Sequence, residues 1–197
     1  MSATLWVLLA VGLALVFWAV GAYNRLVRLK NAIANAFGQI DVQLKRRYDL
    51  IPNLVEVARK YLAHEAQTLE AVIAARNQAR SAEQGAAASP LNAGALGALA
   101  GAEQLLGGAL GRLFAVAEAY PDLKADQTMR ELSEELSSTE NRIGFARQAY
   151  NDHVLEFNDA AAQFPTLIVA RLFNFSTQSM LESTSSEVER QPVKVAF

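Results

Sequence analysis

The chain opens on an apolar run without polar interruption. Residues 1–23 contain no Asp, Glu, Lys, Arg or His, and residues 5–22 (LWVLLAVGLALVFWAVGA) are long and apolar enough to cross a bilayer as one helix. Leu5, Trp6, Leu9, Leu13, Phe17, Trp18 and Ala22 mark that span. Apolar residues then recur at helical spacing, with Leu26, Leu29, Ile33, Phe37, Ile40 and Leu44 stepping by three or four, so one face of a helix continues past the span. Pro52 lacks a backbone donor and disfavours helical geometry at Ile51, which predicts that the first helix stops or kinks near Leu50. A second helix is expected from about Asn53 to Gln84, with Leu54, Ala58, Tyr61 or Leu62, Leu69, Val72 and Ile73 inward.

Residues 85–102 (GAAASPLNAGALGALAGA) carry no charge, yet their Gly, Ala, Ser, Pro and Asn content gives little transfer energy. They read as a loop leading into a glycine-rich helix start rather than a second span. A third helix shows Leu106, Leu110, Leu113, Ala117 and Tyr120. Its Gly107, Gly108 and Gly111 weaken it by roughly 1 kcal/mol each relative to Ala, while letting a neighbouring backbone come close. The fourth is the most regular: Met129, Leu132, Leu136, Thr139, Ile143, Ala146, Tyr150, Val154, Phe157, Ala161 and Phe164 hold a near-heptad phase. Asp126 is its expected N-cap and Pro165 its stop.

Rods of roughly 40 to 57 Å at 1.5 Å per residue, joined mostly by short turns, predict an all-α chain. Its N-terminal transmembrane helix continues into an antiparallel up-and-down four-helix bundle. The divisions are an anchor at 1–23, a bundle at 24–164, and an apolar segment with a C-terminal tail at 165–197. If Pro52 only kinks the helix, the alternative is one very long first helix in an elongated three-helix coil.

Charge places the span. Residues 1–47 carry six Lys/Arg against one Asp, and residues 48–197 carry twelve against nineteen Asp/Glu. Arg25, Arg28 and Lys30 follow the apolar run at once, which predicts a retained anchor with the N-terminus outside and the body cytoplasmic. A cleaved signal peptide needs a basic start that residues 1–4 lack, although Val20-Gly21-Ala22 would pass as a cleavage site. The basic juxtamembrane helix suits anionic lipid, and the acidic body offers nucleic acid no phosphate-tracking face. With no cysteine there are no disulfides, thiolate chemistry or Cys-based zinc sites.

Several stretches resemble the LemA family signature. They include Tyr23-Asn24-x-Leu26-Val27-x-Leu29, the run IDVQLKRRYDLIPNLV from Ile40 to Val55, His64-Glu65, EAYPDLKA from Glu118 to Ala125, Glu140-Asn141-Arg142-Ile143, Tyr150-Asn151 and Phe164-Pro165. The resemblance covers essentially the whole chain. It implies a bacterial protein with one N-terminal transmembrane helix and an antiparallel four-helix bundle, and it implies no catalytic residue; with the charge pattern, the expected location is the bacterial inner membrane. The family is similar in ending Pro-x-Val-x-Phe, whereas Pro192-Val193-Lys194-Val195-Ala196-Phe197 has one extra residue before the Val.

Three groups of residues are candidate sites. Alternating helices would bring the turns at 50–53 and 120–126 together at the membrane-distal end. There Arg46, Arg47, Tyr48, Asp49 and Asn53 would face Glu118, Tyr120, Asp122 and Lys124 and dock a protein partner, or simply cap helix ends. Glu140, Asn141, Arg142, Arg147, Tyr150 and Asn151, with Glu65 at a core phase of helix two, would form a buried polar layer that fixes register. Leu167, Ile168, Leu172, Phe173 and Phe175 return to the membrane side, to meet lipid, another subunit or the bundle's own open end.

Metal and catalytic spacings are absent. Di-iron bundles need Glu-x-x-His, but Tyr61 and Tyr150 stand three residues before His64 and His153, and Thr68 occupies the second-histidine place of a zinc-protease box. The expectation is a non-enzymatic, cofactor-free scaffold or adaptor that self-associates in the bilayer. Membrane shaping by clustered anchors and the C-terminal segment is the alternative, and a metal carrier or enzyme the third class.

Overall fold

In the computed structural model, residues 3–181 are described, and every regular element among them is a helix. The order is α1 (Ala3–Arg59), α2 (Ala66–Ala88), α3 (Ala93–Ala117), α4 (Pro121–Ala125), α5 (Gln127–Ala162) and α6 (Thr166–Leu172). The expectations for residues 192–197 lie outside the described residues.

The largest departure from the sequence reading is at Pro52. α1 does not stop near Leu50 but continues through Pro52 to Arg59, about 86 Å of helix at 1.5 Å per residue. In a helix interior the donor that proline lacks would have bonded the carbonyl four residues earlier, here that of Tyr48. That carbonyl has a substitute partner: Arg76 on α2 donates its Nε–H to the Tyr48 oxygen at 2.9 Å. A donor from a neighbouring helix thus stands in for the missing intrahelical one. The first turn therefore lies at residues 60–65, and Glu65 is the N-cap residue of α2 rather than a core residue.

The interval between α2 and α3 is also shorter than expected, only residues 89–92. Alanine is the best helix former, and Asn92 accepts a hydrogen bond from the Ala95 N–H to start α3. Leu96, Leu99 and Ala102, assigned above to the loop and helix start, are buried. α5 matches its predicted ends: Asp126 Oδ1 accepts from the Met129 N–H at 2.9 Å, and the helix closes before Pro165. Its heptad stripe is inward from Met129 to Ala161, but Phe164 is 81% exposed.

α1 packs on α5 and on α2, and α2 packs on α3. Phe37 meets Tyr150 edge to face at 6.2 Å, Arg46 reaches Glu135 and Tyr61 donates to Asp126, so α5 runs opposite to α1. α6 packs on both α1 and α5. Between α3 and α5 a groove opens instead of a close interface. Gly107, Gly108 and Gly111 line it, and a Cβ at any of them would meet nothing within 4 Å, so these glycines do not admit a neighbouring backbone as expected. The first part of α1 is the described helix long and apolar enough to cross a membrane, and its apolar window is buried against nothing. The body begins where that run ends, with Ala22 already covered and Leu26 fully buried.

The Arg76 substitution for the proline's missing donor can be measured by a double-mutant cycle on the detergent-solubilised protein. Arg76→Met should cost about 1–3 kcal/mol, the penalty of an orphaned buried carbonyl. In a Pro52→Ala background, where residue 52 can supply its own N–H, the cost should fall by about 1 kcal/mol or more. Equal costs in both backgrounds would contradict the assignment.

Candidate functional site

Polar groups enter the helical core at one level. Arg47 and Tyr48, adjacent on α1, are both buried, as is Glu103 on α3. Arg47 Nη1 lies 2.8 Å from Glu103 Oε2 and 2.8 Å from Glu140 Oε2 of α5. The Tyr48 hydroxyl donates to Glu103 Oε1 at 2.5 Å. Burial first, and then the Glu103 carboxylate, push the Tyr48 phenol well above its usual range, so it stays a donor. Thr139, fully buried beside this level, returns its hydroxyl to the Glu135 carbonyl of its own helix. Arg46, on the outside, pairs with Glu135 at 2.5 Å.

One turn toward the membrane lies a second buried carboxyl. Glu83 of α2 is 1% exposed, and its nearest cation is Lys45 Nζ at 3.7 Å, a group that is itself 2.6 Å from Asp41. Burial, reinforced by a hydrogen bond to Asp41, raises the Glu83 carboxyl to about 7. Burial pulls Asp41 upward too, but hydrogen bonds from Glu83 and Lys45 more than offset it and hold Asp41 below its usual value.

The residues predicted to dock a partner are thus not one cluster. Because α1 passes straight through Pro52, Arg46, Arg47, Tyr48, Asp49 and Asn53 sit along a helix well before its end. Arg47 and Tyr48 are inside, and Arg46, Asp49 and Asn53 are exposed. Glu118, Tyr120, Asp122 and Lys124 do lie at the distal end, where Lys124 pairs with Glu118 at 2.5 Å on the surface. Their neighbour is the 60–65 turn, through the 2.9 Å hydrogen bond from the Tyr61 hydroxyl to Asp126 Oδ2.

The buried polar layer exists with a different membership. Glu140 belongs to it, whereas Asn141 and Arg142 are exposed. Tyr150 is buried, its hydroxyl donates to the Pro90 carbonyl at 3.3 Å, and burial raises it to about 12. Glu103 and Glu83 were missed, although both fall in phase with apolar stripes, Glu103 between Leu99 and Leu106 and Glu83 between Ala79 and Ala86. A carboxylate at a core phase is the signal that could have found them. His64 lies exposed in its turn, and among the described residues no three His, Asp or Glu side chains converge as metal ligands.

At the end beside the apolar run, Tyr23 meets Phe173 at a tilt at 4.8 Å and Phe175 edge to face at 5.6 Å, and Phe175 meets Phe157 edge to face at 6.3 Å. Leu167 and Phe175 are half-buried there, while Ile168, Leu172 and Phe173 are exposed beside the foot of the apolar run.

Two stability effects follow. Arg47→Met alone should cost about 3–5 kcal/mol by leaving Glu103 buried without its cation, and Arg47→Met with Glu103→Leu should recover most of that loss in chemical denaturation. For Glu83, the unfolded chain releases its proton near 4.5, whereas the folded chain holds it to about 7. The folded state therefore binds more protons in that window, and stability falls as pH rises through it. Glu83→Gln should abolish this fall and raise stability at pH 8 by on the order of 2 kcal/mol, and parallel pH-melting curves for variant and parent would contradict it.

Comparison with known proteins places this architecture. Magnetosome protein MamQ of Magnetospirillum gryphiswaldense is 27% identical over 78% of this chain and 62% of its own length. Magnetosome protein MamQ 2 of Paramagnetospirillum magneticum aligns over the same shares at 27% identity. This chain therefore spans less than two thirds of the length of those relatives. Protein LemA of Metamycoplasma hominis is 29% identical over 90% of this chain and 75% of its own length. Residues 36–197, covering the Arg47–Tyr48 level, the distal end and the membrane-side segment, match the LemA family, and the chain belongs to that family.

Proposed function

We propose that this protein is a single-span, membrane-anchored scaffold without catalytic activity. Its four long helices form an antiparallel up-and-down bundle held at a fixed attitude to the bilayer. One observation carries the reading: α1 is a single helix from the uncovered apolar window into the buried charge layer. A lipid-embedded rod that is also a core helix transmits its tilt and rotation to the body without a hinge. The same continuity favours a retained anchor, since cleavage near Ala22 would cut a helix at the point where the core begins. Arg25, Arg28 and Lys30 favour an N-terminus outside the bacterial inner membrane and a cytoplasmic body.

The partners proposed are the bilayer, further copies of the chain in the membrane plane, and a protein that docks at the distal end. Of the predicted docking residues, Glu118, Asp122 and Lys124 are exposed there, and Tyr120 is half-buried. A second reading, membrane shaping, is favoured by Phe164, Ile168, Leu172 and Phe173, four large apolar side chains exposed at the membrane-side end.

The full-length protein in nanodiscs tests both readings. A scaffold predicts a discrete assembly of several chains per disc, measured by mass photometry, whereas one chain per disc at every lipid ratio would rule out self-association. Because the chain has no cysteine, a fluorophore on Leu172→Cys reports that position alone. Quenching by brominated lipid is expected if the segment lies in the interface, and quenching by aqueous iodide alone would remove the second reading.

A further inference from the structure

The body narrows to a two-helix neck on its way to the apolar run. Phe37 meets Tyr150 and Tyr61 reaches Asp126, so α1 and α5 keep one antiparallel register over twenty-four residues of each. Carried fourteen residues further, that register sets Tyr23 level with Phe164. The Tyr150 hydroxyl also donates to the Pro90 carbonyl, which places the turn between α2 and α3 level with Phe37. From Phe37 back to Ala22 is fifteen residues, about 22 Å of helix, and among the described residues α1 is accompanied there by α5 and the chain after Pro165.

α6 closes this neck and is held from both sides. It packs on α1 and α5 with Val169 and Ala170 buried, and two asparagines of α5 then tie down the chain that follows as backbone mimics. Asn158 accepts from the Gln178 N–H at 2.8 Å and donates to the Gln178 carbonyl at 3.0 Å, and Asn151 does the same for Leu181 at 2.9 Å in both directions. The cover reaches the apolar run itself: Ala19 packs against the core and Ala22 is buried, although both belong to residues 5–22. The outward face of α6 and its flanks is apolar, with Phe164, Ile168, Leu172 and Phe173 exposed, Leu172 at 76%. One charge interrupts it, the exposed Arg171. Arg25 and Arg28 of α1 are exposed within two turns of Ala22, and no acid occurs before Asp41 in α1 or from Ala160 to Leu181. Asp159, level with Arg28 in the α1–α5 register, is the first acid below them.

We propose that α6 is an anionic-lipid contact: its apolar face enters the headgroup and acyl boundary of the bilayer while Arg171, with Arg25 and Arg28 near the same level, binds the phosphate of an acidic phospholipid. This rests on the second reading above, that the segment lies in the interface, and adds which lipid it selects. Interfacial helices seat their apolar faces about 5–10 Å into that boundary, and a body that already covers Ala19 and Ala22 holds α6 at such a depth. A guanidinium matches phosphate bidentately, and its apolar stem can follow the face formed by Ile168 and Leu172. Charge separates lipid from the other cover such a face could take. A second copy anchored in the same bilayer would bring its own Arg25, Arg28 and Arg171 to the same height, with Asp159 alone to oppose them. Acidic headgroups supply the missing anions.

The test uses the full-length chain, which contributes no cysteine of its own, with a neutral fluorophore on Ile168→Cys. The protein is placed in phosphatidylcholine nanodiscs that contain an equal fraction of either brominated phosphatidylglycerol or brominated phosphatidylcholine. The brominated phosphatidylglycerol should quench more strongly. Arg171→Gln should lower the local enrichment of that lipid about fivefold, the effect of one cation at an anionic surface, and Arg171→Lys should keep most of it. Strong and equal quenching by both lipids would overturn the selection of acidic lipid and leave the segment in the interface. Quenching by neither would overturn the interfacial reading together with it. An enrichment that Arg171→Gln leaves unchanged, in a protein whose melting matches the parent, would overturn the role given to Arg171.

Discussion

Arg47 and Tyr48 are the point through which all four long helices are joined. The Tyr48 carbonyl takes the Arg76 guanidinium of α2, its hydroxyl reaches Glu103 of α3, and Arg47 links that same Glu103 to Glu140 of α5. A buried guanidinium and a buried carboxylate each carry a desolvation penalty of several kcal/mol, recovered only when their polar atoms are satisfied together. Apolar stripes tolerate sliding by a heptad, but this network closes in one register. Hydrophobic burial drives the helices together, and the charge layer selects which alignment they keep.

The same two residues explain how a proline can sit inside the longest helix. Pro52 would ordinarily cost about 3 kcal/mol in a helix interior, partly through the carbonyl it orphans. Because that carbonyl belongs to Tyr48 and faces α2, the loss becomes an interhelical hydrogen bond. The proline ring is thereby compatible with one rod from the apolar run to the far turn. A defect in the local helix becomes a docking point for its neighbour.

Much of this fold was legible in the sequence, because helical periodicity and caps are local. The apolar span, the inward stripe of α5, its Asp126 cap and the return of residues 167–175 to Tyr23 all follow from spacing and from the polarity of consecutive residues. Two errors came from treating local rules as sufficient. Pro52 was read as a stop, with one very long first helix only as the alternative, because its rescuer lies twenty-four residues away at Arg76, and the Gly/Ala stretch was read as a loop leading into a helix start because tertiary burial of Leu96, Leu99 and Ala102 is invisible to composition. The distal cluster failed with Pro52, since moving the turn to residues 60–65 leaves Arg46 to Asn53 midway along a helix. Glu83 and Glu103 were overlooked because a carboxylate on an apolar phase has meaning only once its cation is located.

The two helix pairs differ in how they are finished. α1 and α5 meet along most of the body through large side chains such as Phe37, Tyr150 and Phe157, while α2 and α3 meet through alanine and leucine. The side between α3 and α5 lacks a comparable apolar seam, and its polar floor is the exposed edge of the charge layer at Arg47 and Glu140. Helices packed along three sides and open on the fourth leave a groove there whose apolar wall, Leu110, Phe114 and Leu136, stands beside Arg47, Glu103 and Glu140, polar groups able to hydrogen-bond a backbone. Asn151 and Asn158 already use that chemistry on the chain from Gln178 to Leu181. The glycines of α3 cost helix stability and leave the passage wide, so the open side is a property of the sequence and not a failure of packing.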